Sequence, residues 1–222
     1  VETASNKKIT VSADRFKDIV TLRVSASGRG IPLDKQLFSL LALVLTFVAF
    51  LPYMRAILRD ETRPHVFSWL IWAGGTVVVF FAQLADGAGI GAWPIGISGA
   101  VTFLVAFLAM RTTADTTIVA SDWVYLALAI TALPLWWLTS DPLYAVVILT
   151  IVDLLGFGPS MRKAYGAPHE ENATFFTLMA LRNGCVVLAL EAYTWATVLF
   201  PAAVGIACVL FVALILLRRR AV

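Results

Sequence analysis

The sequence predicts an all-α membrane protein of seven transmembrane helices, a 3+1+3 bundle in which two parallel three-helix repeats flank a single intervening helix. Three observations predict it. Sixty per cent of the 222 residues are hydrophobic and 14% are charged, far outside the averages of soluble domains. Apolar runs long enough to cross about 30 Å of hydrocarbon recur along the chain. Finally, the stretch Asp34 to Arg111 returns without a gap 107 residues later, with 14 identities in 78 positions.

The repeat is clearest where Phe50-Leu51-Pro52-Tyr53-Met54-Arg55 comes back as Phe157-Gly158-Pro159-Ser160-Met161-Arg162. The same offset pairs Asp34 with Asp141, Pro94 with Pro201 and Arg111 with Arg218. The chain therefore divides into a polar N-terminal tail (1-33), a first repeat (34-111), a linker that includes an inversion helix (112-140) and a second repeat (141-220). Three helices is an odd number, so two copies joined directly would insert with opposite orientation. Arg55 and Arg162 require the same orientation, and the fourth helix supplies the inversion.

The tail is read as disordered or non-native, with a short strand or helix conceivable between Ile9 and Val24. It lacks the apolar run and small-residue cleavage site of a signal peptide. The predicted spans are Leu37–Leu58, Val66–Leu84, Trp93–Met110, Trp123–Thr139, Leu143–Met161, Thr174–Tyr193 and Val198–Leu217. Pro64, Pro94, Asp122, Pro142 and Pro201 stand at or before span starts, where proline or a capping side chain is tolerated.

Charge orients the bundle. Arg55, Arg59, Arg63, Arg111, Arg162, Lys163, Arg218, Arg219 and Arg220 fall on one side, whereas the opposite loops carry only Asp86 and Asp141 as charges. By the positive-inside rule the first side is cytoplasmic, which puts the C-terminus inside and the N-terminus outside. The net charge of +3 thus reports on membrane orientation; the lipid bilayer is the expected partner and nucleic acid is not. Assembly into a homo-oligomer is compatible with the pattern.

A proline near a helix end, Pro52, followed by Arg55, Arg59 and a short loop into His65-Val66-Phe67-Ser68-Trp69-Leu70-Ile71-Trp72, resembles the PQ-loop repeat of SWEET-like and MtN3-like membrane proteins. The second copy, Asp153-Leu154-Leu155-Gly156-Phe157-Gly158-Pro159, looks similar. In both copies the residue after proline, Tyr53 or Ser160, departs from the family's usual glutamine. The resemblance implies transport of a small polar solute by alternating access, in some members coupled to protons through an aspartate at the place of Asp153. It is greatest to bacterial members, which implies a multi-pass protein of the bacterial inner membrane.

Few side chains within the spans carry chemistry. Asp153 and Arg182 are each placed about 16 Å below the outer boundary, since each lies 11 residues from an outer span end at 1.5 Å per residue. They are expected to pair across the fifth and sixth spans, either as a structural lock or as a substrate or proton site. Asn183 adds an amide at that depth, pointing about 100° away, and Trp72 could wall a solute opposite the space left by Gly74-Gly75. Pro52 and Pro159 kink the cytoplasmic helix ends and suit a gate. Glu191 is expected to snorkel to the interface. His65, His169 and their neighbours lack metal-ligand spacing, and Cys185 and Cys208 read as packing residues. No catalytic motif, cofactor site or metal site presents itself, so an enzyme is not expected.

Two readings follow, a transporter of a small-molecule solute and a non-transporting scaffold that uses Asp153–Arg182 as a structural pair. The orientation is tested by replacing Asp86 with Cys: the expected outcome is labelling by an impermeant thiol reagent from outside only, and labelling only from the cytoplasm would reverse the topology.

Overall fold

A segment in lipid must satisfy its backbone hydrogen bonds internally, which for an unbroken apolar run leaves the helix. The computed structural model describes residues 13–16, 19–22, 31–59, 66–111, 120–166, 168–170 and 173–221; side chains at 13–16, 19–22, 68, 121–122, 158–160, 162–163 and 170 lie outside that description. Within it run α1 (Leu33–Leu58), α2 (Val66–Ala85), α3 (Trp93–Arg111), α4 (Ala120–Thr139), α5 (Pro142–Gly166), α6 (Ala173–Ala189) and α7 (Trp195–Ala221). One-turn 3₁₀ helices at Gly89–Ala92 and Pro168–Glu170 precede α3 and α6.

The architecture is that of a helical membrane protein. Leu33–Leu58, Gly89–Arg111 and Trp195–Ala221 are long and apolar enough to cross a bilayer, and the remaining helices contain shorter apolar runs. Small and polar residues lie inward together with some large apolar ones, while the outward face is made of large apolar side chains. In α1 the buried set is Ser39, Ala42, Thr46, Ala49, Phe50, Met54 and Ile57, whereas Leu37, Leu40, Leu41, Val44, Phe47, Val48 and Leu51 are exposed. Buried Thr46, Thr102 and Thr150 each donate to the carbonyl four residues back, so their hydroxyls need no outside partner.

Packing partners define the interior. α3 packs against α1 and α2, and α7 packs against α5 and α6. Contacts of α1 with α6, of α2 with α5 and, less extensively, of α2 with α7 join these groups, while α4 lies on α5 and α2. Only Ser140 and Asp141 separate α4 from α5; Ser140 takes a positive φ of 58°, and Asp141 Oδ1 accepts from Leu143 N–H at 2.9 Å to cap α5.

Within the tail, the short strand allowed for between Ile9 and Val24 is present as Ala13–Phe16 (β1) paired antiparallel with Ile19–Leu22 (β2), Phe16 opposite Ile19, consistent with the β-branched run Ile19-Val20-Thr21. The structure corrects one helix bound. The sixth helix ends at Ala189 and not at Tyr193, because Glu191 N–H donates across the bundle to Ala88 O at 3.1 Å. Arg63, Pro64, His65 and Glu171 lie outside the described residues, as do the side chains of Asp122, Pro159, Arg162 and Lys163.

The joint before α3 has little tolerance for added atoms. A Cβ on Gly91 would stand 2.7 Å from Leu190 Cα and N, which are backbone atoms that cannot turn aside. Gly91→Ala is therefore expected to destabilise by about 1–3 kcal/mol, the usual cost of overpacking. A thermal or denaturant midpoint in detergent unchanged from wild type would show that this joint yields freely.

Candidate functional site

A guanidinium in an apolar bundle is tolerable only if its N–H groups are met by protein acceptors. Arg182 on α6 is 2% exposed and meets them from three directions. Its Nη2 donates to Pro94 O at the start of α3 (2.6 Å), its Nη1 to Asn183 Oδ1 (3.0 Å) and its Nε to Thr46 Oγ1 on α1 (3.3 Å). Asn183 is itself fixed by donating from Nδ2 to Met179 O at 2.8 Å, and its Cβ lies 3.2 Å from the place a Cβ on Gly205 of α7 would take.

Asp153 on α5 occupies a different setting. It lines a cavity of about 10 Å³ between α2 and α5, together with Ile71, Trp72, Gly75, Thr76, Leu149, Val152 and Phe200. That volume admits about one water-sized group. Glycines make the approach of the two helices possible. Leu149 reaches to 3.3 Å of a Cβ on Gly75, and the Trp72 indole fills the space beside Gly156, where a Cβ would be 2.8 Å from Cζ2.

The predicted residues are thus brought together in two groups. Asp153 and Trp72 share the cavity, whereas Arg182 and Asn183 form the neighbouring network and are not among its lining residues. No hydrogen bond or ion pair joins Asp153 and Arg182 among the described residues, because each of the two helices packs on α7 and the guanidinium is already engaged by Pro94, Asn183 and Thr46. The direct pair expected across α5 and α6 is therefore not formed in this conformation. Asn183, expected to point away from Arg182, instead accepts from it. Pro52 lies within α1 on its exposed side, next to Tyr53; the side chain of Pro159 lies outside the described residues.

No family model, no curated protein and no solved structure matches this chain. The site's chemistry therefore has to be read from its own residues.

Sequence reasoning did not find the polar joint at the Asp86 end of the bundle. Glu191, expected to snorkel, lies beyond α6 and accepts from Ile90 N–H at 2.8 Å; Gly89, at φ 59°, has no Cβ to obstruct its carboxylate. Thr194 donates to Asp86, Gln83 Nε2 to Thr197 O (2.7 Å), and Lys35 Nζ to Leu188 O (3.0 Å) and Tyr193 OH (2.8 Å). The available signal was Gly87-Ala88-Gly89-Ile90-Gly91, whose alternating glycines mark a turn that approaches another backbone. On the opposite side of the cavity, Phe50 and Tyr53 of α1, Trp69 of α2 and Phe175 of α6 form an aromatic cluster, with Tyr53 and Trp69 stacked at 5.2 Å.

These settings make unequal demands on stability. Arg182→Gln abandons at least two buried, charge-assisted hydrogen bonds and is expected to cost about 2–5 kcal/mol. Asp153→Asn abandons none and should cost less. Equal losses in equilibrium unfolding would place both side chains in one network.

Proposed function

We propose that the protein carries a small polar solute across a bacterial inner membrane by alternating access, with the solute site between two parallel three-helix halves in a 3+1+3 bundle of seven spans. The observation that carries this reading is the exchange pattern of the packing. Adding 107 to the first half turns α1, α2 and α3 into α5, α6 and α7, and the start of α2 at Val66 into the start of α6 at Ala173. The contacts obey the same exchange: α1–α3 becomes α5–α7, α2–α3 becomes α6–α7, and α1–α6 becomes α5–α2. Two halves related in this way can rock about a central site.

Further support comes from what surrounds the cavity. One end is held by hydrogen bonds between the halves, through Gln83 with Thr197, Asp86 with Thr194 and Ile90 with Glu191. The other end is filled by the aromatic cluster, beside Pro52. In this reading the conformation is an occluded one; the hydrogen-bonded end is the outer gate and the aromatic end the cytoplasmic gate, with Pro52 and Pro159 as its flexible points. Asp153 and Trp72 face the solute, while Arg182 and Asn183 hold the other half-interface.

A second reading, a non-transporting scaffold, is favoured by one observation: the cavity holds only about 10 Å³. The two readings differ in whether the gates move. Glu191→Ala removes the acceptor of Ile90 N–H and should raise the rate at which an impermeant reagent labels Gly75→Cys, in protein lacking Cys185 and Cys208. A solute library screened in proteoliposomes should then give one transported solute, whose uptake Asp153→Asn abolishes. Unchanged labelling, together with an empty screen, would decide for the scaffold.

A further inference from the structure

The two interfaces between the halves are sequence images of each other, and they differ in charge. Between α1 and α6, Thr46 accepts from the guanidinium of Arg182. Moved on by 107 positions, Thr46 becomes Asp153, and moved back by 107, Arg182 becomes Gly75. Asp153 and Gly75 line one cavity between α5 and α2. One interface thus holds a cation supplied by the chain, with a neutral hydroxyl opposite. Its image holds a carboxylate, no side chain where the cation would originate, and about 10 Å³ of space.

We propose that this cavity seats an external monovalent cation of the ammonium class, the protonated amino group of a small amine, with Asp153 as its counter-ion and Trp72 and Phe200 as aromatic walls. The proposal rests on the reading of this site as the solute site. Size and lining select the class. A space for about one water accepts the –NH3+ group alone, a planar guanidinium being larger, so that seating a whole small amine requires the cavity to widen by about a methyl group. Calcium takes six to eight oxygen ligands and magnesium an octahedral shell that includes several waters, neither of which a space for about one water holds. Among the described residues, side-chain oxygens here come from Asp153 and Thr76, the remaining lining being Ile71, Trp72, Gly75, Leu149, Val152 and Phe200. An ammonium group needs fewer oxygens, because the faces of indole and phenyl rings attract it as well. Anionic head groups are excluded by the carboxylate. Arg182 does not fill this role, since its hydrogen bonds go to Pro94, Asn183 and Thr46.

The test is equilibrium binding of radiolabelled methylammonium to the purified full-length protein in detergent. Saturable binding is expected, displaced by unlabelled methylammonium and not by methanol or acetate. Asp153→Asn should weaken it roughly 10- to 100-fold, the scale of a charge-assisted hydrogen bond. Gly75→Arg, which returns a chain-borne cation to this interface, should abolish binding without loss of the folded, monodisperse peak. Trp72→Leu should weaken it roughly 2- to 30-fold, and Trp72→Phe less. Absence of saturable binding by the wild type overturns the proposal, as does unchanged affinity in folded Asp153→Asn. Displacement by sodium at lower concentration than by methylammonium would assign the cavity to a metal cation and overturn the ammonium class. Where Asp153→Asn and Gly75→Arg both fail to fold, the Trp72 pair decides: a Trp72→Leu affinity equal to wild type overturns it. Binding without uptake in proteoliposomes would overturn transport and leave the cation site standing; uptake of a neutral solute without methylammonium binding would do the reverse.

Discussion

Burying one guanidinium is the constraint on which much of this interior depends. Arg182 sits on a helix whose neighbours are mostly apolar, and an arginine there must find acceptors or water. It finds a hydroxyl on α1, an amide on its own helix and a backbone carbonyl at the first turn of α3. Satisfying all three fixes the register of α6 against α1 and the height of α3 relative to both. Ala42 and Ala49, both buried, flank Thr46 by one turn on each side, and small residues there allow α1 to come close to its neighbours.

The same arginine links the middle of the bundle to one of its ends. Pro94 belongs to the first turn of α3, directly after the 3₁₀ helix Gly89–Ala92. That 3₁₀ helix is held by Glu191, whose carboxylate accepts from Ile90 N–H and whose own N–H donates to Ala88 O. Ser39 of α1 donates to Ile90 O at 3.0 Å and ties the same turn to a third element. A displacement of α6 relative to α1 therefore acts on the Pro94 carbonyl and, through α3, on the hydrogen bonds that close the Asp86 end. Few apolar contacts could transmit such a movement in a defined direction, because they are not directional.

Asymmetry between the two half-interfaces is the feature with most functional content. Where α1 meets α6 the volume is occupied by the long side chain of Arg182, and where α2 meets α5 it is left to Gly75 and the small cavity. Trp72 narrows that space by lying over Gly156, while Leu149 approaches Gly75. In the proposed arrangement of two parallel halves the two backbones are equivalent, and the difference between a filled and an open position lies in the side chains, Thr46 against Asp153 and Gly75 against Arg182.

The amino-acid sequence by itself determined the helical membrane character, the bounds of most helices to within a few residues and the presence of ionisable side chains, Asp153 and Arg182, within apolar spans. These follow from local properties: apolar runs, terminal prolines, and ionisable side chains where hydrocarbon makes them costly. What it left undetermined was who meets whom. The direct Asp153–Arg182 pair was a reasonable expectation from depth alone, yet depth says nothing of azimuth or of which helix stands between two others. Only tertiary packing decided that α6 faces α1 and α5 faces α2, so that Arg182 goes to Thr46 and Asp153 to a cavity. The early end of α6 and the role of Glu191 were likewise out of reach, because a hydrogen bond from Glu191 N–H to Ala88 O joins residues about a hundred positions apart, and no local pattern in a single chain encodes such a pairing.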